Sequence, residues 1–388
     1  MRTVRNSVEI PKEARAARLA VLAVFFLNGF AFASWVVRIP AVKEKLALSE
    51  GLLGLALLGV AVGALTAMTA VGWLITRFGS RPVVGMTVLF FCLALPLPAL
   101  MPNLPLLVVT LLLFGASGGA LDVSMNSQAV AVEKQYGRPI MSSFHAAFSF
   151  GGLAGAASGG FVASLGVGVS LHLLGIAALS AVVATLAYRA LLPASVDAGA
   201  PGAPAFARPT KALAGLGVIA FCVLLGEGTM ADWSAVYLKG TLETGAGFAA
   251  SGYAAFSLAM AFGRLFGDRF TEQLGPARLV RFGGALAAVG LGISLAAAQP
   301  AFALIGFASA GMGFSIIFPT VLSAAGRTEG VAPGPALAAV SSAGYFGFLV
   351  GPPIIGFAAE LLGLGAALYI VVALSAAVAV LAGAVRGK

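Results

Sequence analysis

Asp122, Asn126 and Glu133 are spaced so that, on a helix, they fall within about 40° of one another, in a stretch otherwise built of Gly, Ala, Ser and aliphatic residues. A carboxylate in such surroundings is costly when charged and is favoured in its protonated form. That is the chemistry of a group that takes up and releases a proton. His145 stands one turn before Ser149 on the same face. Imidazole titrates near neutral pH, so His145 is a candidate relay for the Asp122 proton, or else a packing histidine. Two further carboxylates, Glu227 and Asp232, lie in Gly226-Glu-Gly-Thr-Met-Ala-Asp232-Trp233. The glycines beside Glu227 loosen a helix at an ionisable group, which points to a binding site. On a regular helix Glu227, Ser234 and Tyr237 share a face and Asp232 lies about 140° away. Both carboxylates are therefore expected to face one cavity only if the helix is distorted.

Groups suited to holding a solute surround these. Asn28 and Trp35 lie nearly in line on a helix, with Arg38 about 80° round; Arg38 reads either as an interface residue reaching for the surface or as part of an outer gate or solute site. Ser34-Trp35 and Asp232-Trp233 look like counterparts, and Tyr345 follows Ser341 by one turn. The candidate solute-binding set is Asn28, Trp35, Arg38, Asn126, Asp232, Trp233 and Tyr345. Asp122, Glu227 and His145 form the candidate proton-coupling set. Arg264 and Asp268, one turn apart, are expected to neutralise each other at a gate.

The segments that carry these residues are spans of a membrane protein. Of the 388 residues, 60% are hydrophobic and only 10% are charged, far from the balance of a soluble domain. At roughly 20 apolar residues per helical crossing, twelve spans are expected near 19–40, 48–75, 82–100, 105–132, 140–165, 169–192, 213–238, 247–270, 276–298, 301–325, 335–361 and 364–385. They divide into a first bundle (1–192), a Pro-, Ala- and Gly-rich linker (193–212) and a second bundle (213–388). Spans 3, 6, 9 and 12 have few central polar residues and read as outer supports. Lys and Arg gather in the N-terminal segment, the even-numbered loops and the tail, which predicts both termini in the cytoplasm. The net charge of +9 reflects that bias and attraction to anionic lipid heads; nucleic acid binding is not needed to explain it. The first apolar segment is span-length, so no cleavable signal peptide is expected. Cys92 and Cys222 both lie inside spans, and neither a disulfide, a metal site nor a cofactor is implied.

The order of residues from Gly115 to Phe161 returns from Phe307 to Phe357. Ala116-Ser117-x-Gly119 matches Ala308-Ser309-x-Gly311, while Phe150-Gly151, Gly155 and Gly160-Phe161 match Phe346-Gly347, Gly351 and Gly356-Phe357. The polar positions do not repeat: Asp122 falls opposite Phe314, Asn126 opposite Phe318 and His145 opposite Ser341. Shared small residues predict shared helix packing. The unshared ones predict the chemistry.

Gly72-Trp-Leu-Ile-Thr-Arg77-Phe-Gly79-Ser-Arg81 resembles the loop signature of the major facilitator superfamily, Gly-x-x-x-Asp-Arg-x-Gly-Arg-Arg/Lys, with Thr76 in place of Asp; Gly267 to Gly275 is a second copy with Glu272. The resemblance, extended by twelve spans in two like halves, covers the whole chain. It implies an all-α membrane protein of two pseudo-symmetric six-helix bundles, in which Arg77, Arg81 and Glu272 belong to the cytoplasmic gate. Within that superfamily ASWVVRIPAVKE, EGTMADW and GYFGFLVGPPIIG are similar to the fucose-permease-related branch of bacterial inner-membrane transporters. That implies proton-coupled movement of a small polar solute by a carboxylate on span 4, the place of Asp122. Gly155-Ala-Ala-Ser-Gly159-Gly160 resembles the Gly-Pro-x-x-Gly-Gly motif of antiporters, with Ala156 for Pro.

The expectation is a monomeric transporter in the bacterial inner membrane, rather than an enzyme, that carries a sugar, polyol or similar metabolite with protons. Proton-driven export of drugs or metabolites is the alternative. Two readings lie in other classes. One is an intramembrane serine protease with Ser117 of Gly115-Ala-Ser-Gly118 as nucleophile and His145 or His172 as base; the other is a sensor that moves nothing.

Overall fold

The computed structural model describes residues 11–137, 140–196, 213–329, 331 and 333–386. Within them twelve helices are long and apolar enough to cross a bilayer: Lys12–Lys45, Glu50–Phe78, Ser80–Leu100, Leu104–Tyr136, Ser143–Ser164, Val169–Tyr188, Ala214–Thr241, Ala246–Gly267, Pro276–Ala297, Pro300–Ala325, Ala336–Leu362 and Leu364–Val385. They are numbered spans 1 to 12. No strand occurs among the described residues. A chain this apolar must satisfy its backbone groups within each segment, and the helix does so without help from water. Most of the expected linker, from 197 to 212, lies outside the described residues.

Several spans are interrupted. Span 1 turns at Val37–Arg38, just before Pro40, and resumes as Ile39–Lys45. Span 10 breaks between Phe314 and Ile317. Span 7 is regular through Val236 and then widens into a π-helical turn, Tyr237–Thr241. A bend is the ordinary consequence of Gly351-Pro352-Pro353 in span 11. The helix instead runs unbroken from Pro333 to Leu362 through both prolines, which supply no N–H to the carbonyls of Phe348 and Leu349.

Spans 1 to 6 pack among themselves chiefly as 2 on 4, 1 on 5, 3 on 4 and 1 on 6; spans 7 to 12 repeat this as 8 on 10, 7 on 11, 9 on 10 and 7 on 12, with 9 also on 12. The halves meet through span 5 on span 8 and span 2 on span 11. The repeated glycines account for both kinds of contact. A Cβ at Gly151 would overlap the Phe26 carbonyl of span 1, and one at its counterpart Gly347 would overlap the Phe221 carbonyl of span 7. At the seam, a Cβ on Gly160 would meet the Gly247 carbonyl of span 8 at 3.0 Å, and one on Gly356 the Glu50 carbonyl of span 2 at 2.7 Å. Small residues let helix backbones touch where no aqueous hydrophobic effect drives them together.

Spans 3, 6, 9 and 12 carry bulky apolar side chains outward, among them Phe90, Leu93, Val182, Leu186, Phe282 and Val380. These suit a hydrocarbon surround and fit the outer positions expected of those spans. Inside, several buried polar groups find partners, while others, among them Ser180 Oγ, Trp233 Nε1 and Ser234 Oγ, have none among the described residues. Gln128, fully buried, donates to Ser80 Oγ at 2.8 Å and to the Leu192 carbonyl at 3.2 Å, and accepts from Leu192 N–H at 3.1 Å. Glu133 Oε2 accepts the N–H groups of Ile140 and Met141 at 2.7 and 2.8 Å. It thus caps the start of span 5, where helix N–H groups lack partners. Gly79 and Gly275 turn the matched loops after spans 2 and 8 at φ 79° and 77°, a region that favours glycine.

The close approaches yield a stability prediction. Gly151→Val and Gly347→Val should each lower the melting temperature of the detergent-solubilised protein by several degrees, since overpacking costs about 1–3 kcal/mol. Gly72→Ala, whose Cβ meets nothing within 4 Å, should not lower it. Thermal unfolding of the three variants beside wild type checks this.

Candidate functional site

One cavity of about 410 Å³ lies between the halves. Spans 1, 2, 4 and 5 line it from one side and spans 7, 8, 10 and 11 from the other, with Phe91 of span 3 reaching in. The termini and the even-numbered loops share one face of the molecule, here the near face; the odd-numbered loops form the far face. The cavity runs from Trp35 and Leu57, on the far side, to Met68, His145 and Arg264 toward the near face. Beyond its far end the halves are joined. Lys239 Nζ pairs with Glu44 at 2.6 Å, and Gly51 N–H donates to Glu360 Oε2 at 2.7 Å.

The span 4 wall is mostly backbone, Gly115, Gly118 and Gly119, leading to Asp122 and Met125. Asn126 Nδ2 donates to the Asp122 carbonyl at 2.8 Å and to Asp122 Oδ1 at 3.3 Å, the one-turn pairing that the spacing predicts. Asn28 Nδ2 points to Met125 Sδ at 3.6 Å. Trp35 packs against Phe114, ring centres 6.2 Å apart, and Phe114 stacks on Phe91 at 5.0 Å. His145 meets the Phe25 ring edge-on at 5.4 Å. From the other half come Glu227, Gly228, Ala231 and Asp232 of span 7, Tyr253, Phe256 and Arg264 of span 8, Phe318 of span 10, and Tyr345, Phe348 and Pro352 of span 11.

The pairing expected between Arg264 and Asp268 lies outside the described residues, but the Arg264 side chain is placed. It lines the cavity, its guanidinium 3.7 Å from Glu227 Oε2, and donates from Nη1 to Ser149 Oγ across the seam at 3.2 Å. A long, forked cation finds two acceptors in the interior, one on each half. Glu227 and Asp232 both border the cavity although span 7 is regular there. The distortion expected as a condition is unnecessary, because a cavity this wide accepts a helix face broad enough for residues 227, 228, 231 and 232. Asp232 makes no hydrogen bond or ion pair among the described residues. Its neighbour Trp233 faces the other way, fully buried in the packing and off the cavity wall, so the counterpart relation to Trp35 does not extend to placement.

Arg38 also lies off the cavity. Buried at the turn in span 1, it donates from Nε to His172 Nδ1 at 3.1 Å and from Nη2 to the Val167 carbonyl at 3.1 Å. His172 is buried. Its Nδ1 is taken by Arg38, while its Nε2 is buried without a partner among the described residues. Arg77 stacks over Trp73 and Phe78, and Arg81 over Tyr188 at 5.1 Å while donating to the Arg189 carbonyl at 3.3 Å; both find these partners within the first half. The side chains of Asp268 and Glu272 lie outside the described residues. Ser117 is buried and donates to the Phe114 carbonyl of its own helix at 2.9 Å, the bond of a packing serine.

Sequence reasoning missed the apolar walls: span 2 with Val60, Leu65 and Met68, and the rings of Phe114, Phe148 and Phe256. Nothing distinguishes them by type from residues that face lipid. The recurrence of glycine opposite span 2 was the available signal, since a Cβ at Gly115 would overlap the Val60 carbonyl.

A model of the Major Facilitator Superfamily matches residues 21–331. The chain is 37% identical to a protein of Yersinia pestis described as an uncharacterized MFS-type transporter, over 88% of this chain and 89% of that one. It is 36% identical to the membrane protein MosC of Rhizobium meliloti, over 93% and 88% of the two chains. Among solved structures it superposes on a D-xylose-proton symporter with a TM-score of 0.73 at 17% identity, covering 96% of this chain and 99% of that one. On a single-substitution mutant of the nucleoside transporter NupG the TM-score is 0.71 at 15% identity, with 95% and 98% covered. At those identities the likeness to solved structures is one of fold.

The Glu227–Arg264 pair sets an expectation of its own. Arg264→Gln should destabilise the protein by about 1–3 kcal/mol, the cost of leaving a largely buried acceptor without its partner. The double variant Glu227→Gln/Arg264→Gln should recover most of that loss. Thermal unfolding of the two singles and the double measures it as a cycle.

Proposed function

The chain belongs to the Major Facilitator Superfamily, and we propose that it is a proton-coupled symporter of a small polar solute, a sugar, polyol or similar metabolite, working by alternating access. The carrying observation is that ionisable groups from opposite halves, Asp122 of span 4 against Glu227, Asp232 and Arg264 of spans 7 and 8, surround one cavity whose far end lies beneath the joined face. The moving bodies are residues 1–192 and 213–388, tied by the linker 193–212. The basic near-face loops support a cytoplasmic position for both termini, and with the far face joined the reading is an inward-facing state in the inner membrane. One chain holds a complete cavity, which suits a monomer.

Each group has a role in this reading. Asp122 takes the coupling proton, held in orientation by the amide of Asn126. Glu227 and Arg264 pair when no proton or solute competes, and Arg264, bonded to Ser149, senses the seam between the halves. His145 stands where a proton passing between Asp122 and the near face would travel. Asn28, Asn126 and Tyr345 offer hydrogen bonds to the solute, and Trp35 offers a ring face. Coupling is thermodynamic: a solute that binds the protonated form better shifts the balance of inward and outward states by that difference in affinity and no more. The fucose-permease-like segments of spans 1, 7 and 11 support sugar or polyol symport. The resemblance to that branch implies a second carboxylate on span 1, where this chain offers only Asn28 and Arg38; Glu227 takes its place.

Uptake into proteoliposomes under an imposed proton gradient tests the assignment. Asp122→Asn should reduce gradient-driven uptake at least about tenfold, about 1.4 kcal/mol or more, while leaving solute counterflow in the absence of a gradient. Gradient-driven uptake undiminished in the variant removes Asp122 from the mechanism. Accumulation in inside-out vesicles driven by an outward-directed proton gradient, with none under an inward-directed one, would make the protein an exporter.

A further inference from the structure

The cavity walls hold three carboxylates, Asp122, Glu227 and Asp232, against one guanidinium, Arg264. Glu227 has Arg264 at 3.7 Å. In the symport reading, on which this inference rests, Asp122 carries the coupling proton. Asp232 is then left over, a carboxylate inside the membrane with neither counter-charge nor hydrogen bond among the described residues. When ionised it has no counter-charge, which a cation would supply and a neutral solute would not, and an anion would add repulsion from it in surroundings that screen poorly.

A separate feature points the same way. The cavity is walled by the rings of Trp35, Phe114, Phe148, Tyr253 and Phe256. Aromatic faces attract cations, most strongly where water is excluded. We infer that the transported solute is an organic cation, a small amine whose ammonium is received by Asp232 and whose carbon body lies against the aromatic walls. A volume of about 410 Å³ is within the range of small-molecule sites. Symport of such a cation with a proton moves two positive charges inward per cycle.

The test needs no gradient, so it stands or falls apart from the proton-coupling assignment. The purified full-length protein, at fixed pH in detergent, is titrated by thermal shift with two matched pairs: glucosamine against glucose, and phenethylamine against 2-phenylethanol. The expected result is that the amine of at least one pair stabilises the protein with an apparent Kd at least about tenfold below that of its neutral partner. Asp232→Asn should abolish that preference and Asp232→Glu should keep it, with size-exclusion profile and helical circular dichroism reporting that each variant is folded. If Asp232→Asn does not fold, the wild-type comparison within the pairs decides. Equal shifts within both pairs, no shift from either amine, or an amine preference undiminished in folded Asp232→Asn overturns the inference.

Discussion

A carboxylate carried into the hydrocarbon layer needs a proton, a counter-charge or water, since alone it is too costly to keep ionised. The interior of this protein is arranged around that requirement. Asp122 is bonded by an amide one turn along its own helix, Glu227 faces a guanidinium from the next span, and Asp232 opens onto the cavity with no partner in the described residues. The three differ in what they lack, so one cavity presents three carboxylates in three different surroundings. In the proposed symport, that difference is what lets one of them take a proton while another meets the solute.

The scaffold around them is symmetric where the chemistry is not. Gly151 and Gly347 bring spans 5 and 11 against spans 1 and 7 in the same way, and Gly160 and Gly356 serve the two seams between the halves. Opposite Asp122 and Asn126 stand Phe314 and Phe318. Phe314 is fully buried in the second half, and Phe318 reaches the cavity as an apolar wall. One copy of the repeat therefore supplies span 4 polar chemistry and the other a dry surface. In the proposed mechanism the proton site is therefore one-sided.

Much of this is legible in the sequence because membrane constraints are severe. Span number follows from hydropathy, since every crossing has to be a long apolar helix, and the stripe Asp122–Asn126 follows from helical spacing alone. What the sequence conceals are contacts set by tertiary reach. Arg264 lies one turn from Asp268, and the sequence predicts that pair; that the guanidinium reaches Glu227 and Ser149 depends on how spans 5, 7 and 8 meet. Arg38 and Trp233 were drawn toward the cavity by residue type and helical phase. Their actual neighbours, His172 and the packed interior, are fixed by the turn in span 1 and by the rotation of span 7. The width of the cavity, which admits Glu227 and Asp232 together, is likewise a property of helix separation that no single helix encodes.

The seams where the halves meet also bear on how fast they can part. Side chains that interlock like knobs in holes must change rotamers before two helices can slide. At Gly160 against Gly247, and at Gly356 against Gly54, glycine faces glycine. Such surfaces give up dispersion contact on separation but have no side chains to withdraw or reorder. Side-chain bonds between the halves lie elsewhere, at Lys239–Glu44, Glu360–Gly51 and Arg264–Ser149, so the glycine seams act as bearings and those few bonds as the latches.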